Sequence, residues 1–349
     1  MPNSLVDRIL PTTLVGSYPQ PEWLIDKKKL VTTSPPRIRM KEVWRHLGED
    51  LIHAQDDAVQ LTVRDMERAD IDILTDGEVR RESYFNEFAN ALGGLDLDNP
   101  GETLSRLGNK TLVPRVVGPI ERINPVFVRD VEYLRAQTDR LIKVTVPGPF
   151  TMTRLVMDDY YKDEEALIAA YSDAVNAELK DLKAAGADIV QLDEPYLQSN
   201  AEEARVNGVA AINRALTGIN GTKAIHLCFG YAYVVKEKPS GYSFLAELED
   251  SLADQISVEA AEPGLDPTIF KSLPSKIIIL GALNMADDTS ESAAVVAARI
   301  RAALEHVSPD RLVVAPDCGM KYLTREVALG KLKSLAGGAE IVRKEIEGS

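Results

Sequence analysis

Ala224-Ile225-His226-Leu227-Cys228-Phe229-Gly230 reads as a buried strand that ends in two soft metal ligands one residue apart. Side chains alternate along a strand with a period of two, so His226 and Cys228 point to the same side and form a ready pincer. The only other cysteine lies in Pro316-Asp317-Cys318-Gly319, also at the end of an apolar, β-branched run. Thiolate and imidazole together suit a tetrahedral zinc site. A plainer reading of the same residues makes both cysteines small buried hydrophobes and His226 a hydrogen-bonded core residue.

Working outward from this stretch, the same unit recurs. A short apolar run ends in a polar or Gly/Pro-bearing tag, and a helix-period segment follows. Eight such runs occupy residues 12–18, 71–78, 141–149, 189–195, 223–230, 255–261, 276–284 and 312–319. Helices are expected over 40–69, 162–185, 201–216, 244–252, 290–306 and 324–347, with Ala185-Gly186 and Thr217-Gly218 as stops. Eight strand-helix alternations predict an α/β chain folded as a (β/α)8 TIM barrel, a single catalytic domain over 1–349. In such barrels the site gathers at the carboxyl ends of the strands, where all the polar tags fall. Residues 81–140 break the alternation with Gly93-Gly94, Asn99-Pro100-Gly101 and the strand-like 110–120. They are read as an insertion after the second strand, a hairpin over the barrel mouth, followed by a helix near 126–138.

The apolar fraction is 45% and the charged fraction 27%, enough to build a sizeable core. A formal charge of −14 argues against a nucleic-acid partner, since phosphate contacts need clustered Lys and Arg. Residues 1–10 carry Asp7 and Arg8 and no apolar segment of signal-peptide type, and no apolar run is long enough for a bilayer. A cytoplasmic protein without membrane contact is expected. Two cysteines in such a chain form no disulfide framework.

Further carboxylates sit at strand ends. Glu259, in Ile256-Ser257-Val258-Glu259, could complete a zinc ligand set or merely mark the end of a strand. Glu78, in Asp76-Gly77-Glu78, and Asp193, in Asp193-Glu194-Pro195, suit a cationic substrate group such as an ammonium. Asp76 and Glu194 are expected instead to cap the helices that follow them.

Six tags in one order resemble the catalytic barrel of the cobalamin-independent methionine synthase family: Gly16-Ser17-Tyr18-Pro19, Asp76-Gly77-Glu78, Gln191-Leu192-Asp193-Glu194-Pro195, His226-Leu227-Cys228, Ser257-Val258-Glu259 and Pro316-Asp317-Cys318-Gly319-Met320-Lys321. The similarity runs over about residues 11–337. It implies one Zn²⁺ per chain on His226, Cys228, Glu259 and Cys318. It also implies homocysteine held by Glu78 and Asp193 at its amino group, and by Gly16 and Ser17 at its carboxylate. The activity implied is homocysteine S-methyltransferase, in methionine biosynthesis.

Two departures shape the expected donor. Folate-dependent members of the family carry an additional N-terminal barrel that this sequence lacks. They also have a histidine in an Asp-Ile-His-Ser tag and a tryptophan beyond the second strand. Here the tag is Asn284-Met285-Ala286-Asp287, and the only tryptophans are Trp23 and Trp44. The expected donor is therefore a methylcorrinoid, either methylcobalamin or a corrinoid protein partner, which departs without a general acid. The alternatives are a methyltetrahydrofolate-dependent homocysteine methyltransferase, a zinc-dependent thiol alkyltransferase of the coenzyme M or epoxide type, and a non-catalytic zinc- or thiol-binding protein.

Overall fold

The computed structural model describes residues 8–30, 35–104, 108, 110–230, 235, 238–239 and 241–348. Residues 1–7, on which most of the amino-terminal reading rests, and Asn109, in the turn of the predicted hairpin, lie outside them. The strands, in chain order, are β1 (Ile73–Leu74), β2 (Gly93–Leu104), β3 (Lys110–Glu121), β4 (Leu141–Pro147), β5 (Met157–Asp158), β6 (Ile189–Asp193), β7 (Thr222–Leu227), β8 (Gln255–Val258), β9 (Ile277–Gly281) and β10 (Leu312–Ala315). Seven of them form one parallel sheet in the order β1-β4-β6-β7-β8-β9-β10. Residues 11–13 close it: Thr12 bridges Val314 of β10 and Thr13 bridges Ile73 of β1, both in parallel. The bonds are Thr13 N to Val314 O at 2.9 Å, Val314 N to Pro11 O at 2.8 Å and Ile73 N to Thr12 O at 3.0 Å. The eight predicted runs thus form a closed barrel, as the alternation required.

The barrel is dry at one end and polar at the other. Ile73, Ile189, Ala224, Ile279, Val313 and Ala315 form their own buried apolar cluster inside the ring. Alternation then sends the next inward positions toward the mouth: Gln191 and Asp193 on β6, His226 on β7 and Ser257 on β8, all buried. Most helices fall where the sequence puts them, at Glu164–Ala184, Ala201–Leu216, Ala293–Leu304 and Arg325–Glu347. Asp163, Ser292 and Thr324 cap three of these, each accepting a backbone N–H of the first turn. Gly186 and Gly218 end two of them at φ +105° and +74°, as expected of glycine stops.

Two helices differ from expectation. The one predicted over 40–69 is a 3-10 turn at Lys41–Val43 and then Gly48–Arg68, and the one predicted over 244–252 is only a 3-10 segment, Ala246–Asp250. Gly48, at φ +56°, interrupts the first. The second is a stretch in which Ser251 folds back onto the Leu248 carbonyl. The insertion does hold an antiparallel hairpin, β2 with β3, extended by β5 into a separate three-stranded sheet, and its helix is Val128–Arg135.

Candidate active site

Strand register assembles the site. Asp193 on β6 stands beside His226 on β7, which stands beside Ser257 on β8. Two residues further on, Cys228 and Glu259 extend the same two rows. His226 is fixed by a 2.9 Å contact between Nδ1 and the Ser257 hydroxyl, which leaves Nε2 as its free ligand atom. Cys318 enters three residues past the end of β10, and its Sγ lies 3.3 Å from that of Cys228; both side chains are buried and neither forms a disulfide. One ligand atom from each of His226, Cys228, Glu259 and Cys318 lies within 4.8 Å of all the others.

Asp317 ties this side together. Its carboxylate accepts the backbone N–H groups of Ala260 and Ala261 at 2.9 Å and of Glu262 at 2.6 Å, locking the turn after Glu259 to the residue before Cys318. Burial pushes its carboxyl up to about 6. Gly281 makes room for it, since a Cβ there would sit 2.2 Å from Asp317 Oδ1. Tyr242 adds a second tie, accepting from Glu259 N at 2.8 Å and donating to Leu227 O at 3.2 Å. Glu259 itself accepts from Phe229 N at 3.0 Å through Oε1, while Oε2 meets the ammonium of Lys238. Nothing in the sequence pattern marks Lys238, which follows the strand tag by eight residues.

The opposite wall is carboxylate. Glu78, at φ +52°, accepts from the Thr145 hydroxyl at 3.0 Å through Oε1, and Asp193 Oδ1 accepts from Gln191 Nε2 at 2.8 Å. Beneath them Lys143 Nζ donates to Gln191 Oε1 at 2.7 Å. Burial raises both carboxyl groups, Asp193 to about 7, and lowers the Lys143 ammonium to about 7. Gly16 backs directly onto Glu78, since a Cβ at 16 would lie 2.3 Å from Glu78 Oε1. The two walls share one cavity, with Ser17, Glu78, Asp193, His226, Cys228 and Cys318 in its lining. Ser17 Oγ, Glu78 Oε2 and His226 Nε2 are buried there without a hydrogen-bond partner among the described residues. Each orphan costs about 1–3 kcal/mol unless something fills the space, so the cavity is built to receive a polar guest. No described residue of the β2–β3 hairpin lines it, so the hairpin's predicted place at the mouth finds no support in the cavity itself.

The expected caps differ in kind. Glu194 does cap a helix, but the preceding one, Pro149–Arg154, accepting from Phe150 N at 3.0 Å and Thr151 N at 2.8 Å. Asp76 accepts from Glu78 N at 2.9 Å, stabilising the turn that carries Glu78, and pairs with Arg81 at 3.9 Å.

Residues 10–340 match the family model described as the cobalamin-independent synthase catalytic domain. The chain belongs to that family. It is 32% identical over 344 residues to a methionine synthase of Saccharolobus solfataricus, covering 97% of this chain and 96% of that protein. The methionine synthase of Sulfurisphaera tokodaii is also 32% identical, over 97% and 94%. A B12-independent methionine synthase of Shewanella sp. W3-18-1, solved in complex with selenomethionine, superposes with a TM-score of 0.90 at 36% identity, over 98% of this chain and 100% of that one. Family membership makes the chain an enzyme of the methionine synthase type, and the reading as a non-catalytic zinc- or thiol-binding protein falls.

It also overturns the expected donor. The family is cobalamin-independent, so the methylcorrinoid donor and the corrinoid protein partner are both withdrawn. The differences from folate-dependent members, in domain content, histidine tag and tryptophan, do not decide the methyl carrier. The tag at 284–287 is a structural turn, with Asn284 N donating to Glu291 at 3.0 Å and Asn284 O accepting from Lys331 at 2.9 Å. A missing acid there bears on one proton transfer and does not identify the methyl carrier. As for the membrane, no helix of the described residues is long and apolar enough to cross one.

Proposed function

We propose that the enzyme transfers a methyl group from a methyltetrahydrofolate-class donor to the sulfur of homocysteine, yielding methionine, with one Zn²⁺ held by His226, Cys228, Glu259 and Cys318. The observation that carries this reading is the shared cavity: three of four convergent zinc-type donors, His226, Cys228 and Cys318, line it opposite two buried carboxylates. The donor set fits zinc. It offers two thiols, an imidazole with Nε2 orphaned and a carboxylate, and zinc accepts all three ligand types. Bound zinc supplies a Lewis acid that lowers the pKa of a coordinated thiol, from about 8.5, so that a thiolate persists at neutral pH.

The protein's own residues do the positioning. Glu78 and Asp193 receive the substrate ammonium, and Gly16 and Ser17 border the space for its carboxylate. Adjacent parallel strands lie about 4.8 Å apart, so a carboxylate on β6 and an imidazole on β7 present the two ends of a span that homocysteine can bridge. Held at both ends, the sulfur has little freedom except to meet the methyl group in line, and the entropy of orientation is met on binding. The selenomethionine bound by the Shewanella relative is an analogue of the product this reading requires.

The test is to supply zinc-loaded protein with homocysteine and either methyltetrahydrofolate or methylcobalamin. Methionine should form from the folate. Formation from neither donor, or from the folate after complete removal of zinc, contradicts the reading.

A further inference from the structure

Lys143 stands where the barrel interior changes from apolar to polar. Leu141, two residues earlier on β4, packs against the apolar layer of Ile73, Ile189 and Ala224, while Thr145, two residues later, holds Glu78. Lys143 is buried between them, and its Nζ makes one hydrogen bond among the described residues, at 2.7 Å to Gln191 Oε1. A buried amine is costly where an apolar side chain could fill the same layer, so its partner shows what it is for. Gln191 is itself fully buried, and its Nε2 donates twice: at 2.8 Å to Asp193 Oδ1 and at 2.9 Å to the carbonyl of Val15, the residue directly before Gly16 and Ser17.

We propose that Lys143 and Gln191 form a positioning relay that fixes both halves of a receptor for an α-amino-acid head group, Asp193 for the ammonium and residues 15–17 for the carboxylate. The inference rests on the homocysteine reading above and extends it to two residues that do not line the cavity. The argument is one of direction. The oxygen of an amide only accepts and its nitrogen only donates, so with Nζ holding Oε1 from below both N–H groups are aimed at the receptor. Asp193 Oδ1 is thereby occupied, which leaves Oδ2 for the guest, and the backbone that carries Gly16 and Ser17 is tied to the same amide. Without Nζ, Oε1 becomes a buried acceptor lacking a partner, and the amide is free to turn away from both halves together. The head-group receptor then loosens as a unit, while the ligand wall keeps its own contacts.

The test titrates L-methionine, the product of this reading, by calorimetry into zinc-loaded wild type, K143M, Q191M and the variant carrying both substitutions, with zinc content measured alongside. K143M should keep one zinc per chain and bind methionine about tenfold more weakly, about 1.4 kcal/mol. Q191M should lose at least as much, and the double variant no more than Q191M, because Lys143 acts through Gln191. In methyl transfer the loss from K143M should appear in KM for homocysteine, with kcat within about twofold of wild type. Unchanged methionine affinity in K143M, losses that multiply to about a hundredfold in the double variant, or a fall in kcat in place of a rise in KM overturns the relay and leaves the homocysteine reading standing. A wild-type protein that binds neither methionine nor homocysteine overturns that reading and this inference with it. Should K143M fail to fold, K143L carries the same expectations.

Discussion

The two walls of the cavity solve the problem of buried charge in opposite ways. On the wall formed by β4, β6 and the turns at Ser17 and Glu78, side chains hold the carboxylates in place: Glu78 has Thr145, Asp193 has Gln191, and Lys143 supports Gln191 from below, while Glu78 Oε2 stays open to the cavity. On the wall formed by the ends of β7, β8 and β10, the backbone is braced by Asp317 and Tyr242, and the ligand side chains meet one another, Ser257, Lys238 and the backbone N–H groups of Phe229 and Gly230. A prebuilt hydrogen-bond network suits a guest that comes and goes, such as an amino acid. Four ligand atoms converging on one point suit a resident cation that organises them. The difference teaches that substrate recognition and sulfur activation can be broken separately, and each substitution below is chosen to do so.

The largest effect belongs to the ligand wall. Cys318→Ser should cost at least about a thousandfold in methyl transfer and abolish stoichiometric zinc binding, because a neutral hydroxyl is a poor substitute for a thiolate. Metal analysis beside a methionine assay checks both; retained zinc would merge the two walls into one function. Next, on the opposite wall, Glu78→Gln should lower kcat/KM for homocysteine by about a hundredfold through loss of a buried charge partner, with zinc content unchanged. Zinc lost together with substrate affinity would defeat the division.

A pH profile sharpens the same side. The Asp193 carboxyl sits at about 7, so it is protonated below neutrality and cannot pair with an ammonium there. Homocysteine affinity should fall as pH drops from 8 to 6 (roughly ten times the proton activity per unit), and Asp193→Asn should flatten that dependence. The sign for stability is opposite. A carboxyl raised above its unfolded value favours the protonated native state, so this group's contribution to stability is lost as pH rises from its unfolded value near 4 through about 7. The smallest expected effect is that of Gly16→Ala. The added methyl would have to displace the Glu78 carboxylate, raising KM about tenfold with kcat and zinc content close to wild type.

Much of this was legible in the chain because barrels repeat a local rule. Each strand is a short apolar run with period-two alternation, so a tag such as His226-Leu227-Cys228 announces both its element and its side. Register then supplies the rest, setting Asp193, His226 and Ser257 in one row. What could not be read lies where tertiary contacts override local pattern. Glu194 caps the helix behind it rather than the one ahead, and the missing side chain of Gly148 leaves room for its carboxylate there. The second barrel strand is just Ile73–Leu74, a length set by its neighbours, and Leu245 to Ser251 turns as a 3-10 segment where composition suggested an α-helix. Lys238 has no periodicity to mark it, and it is found only through the carboxylate it meets. The methyl carrier was not legible, because the barrel, histidine and tryptophan of the folate-dependent members are separate features whose loss does not name a different donor.

Zinc K-edge absorption spectroscopy, recorded before and after homocysteine is added to the zinc-loaded enzyme, addresses the central claim most directly. The account predicts a metal bound by the two cysteine sulfurs and two lighter atoms, gaining a third sulfur and losing an oxygen when homocysteine arrives. A spectrum without cysteine sulfur, or one that homocysteine leaves unchanged, would contradict it.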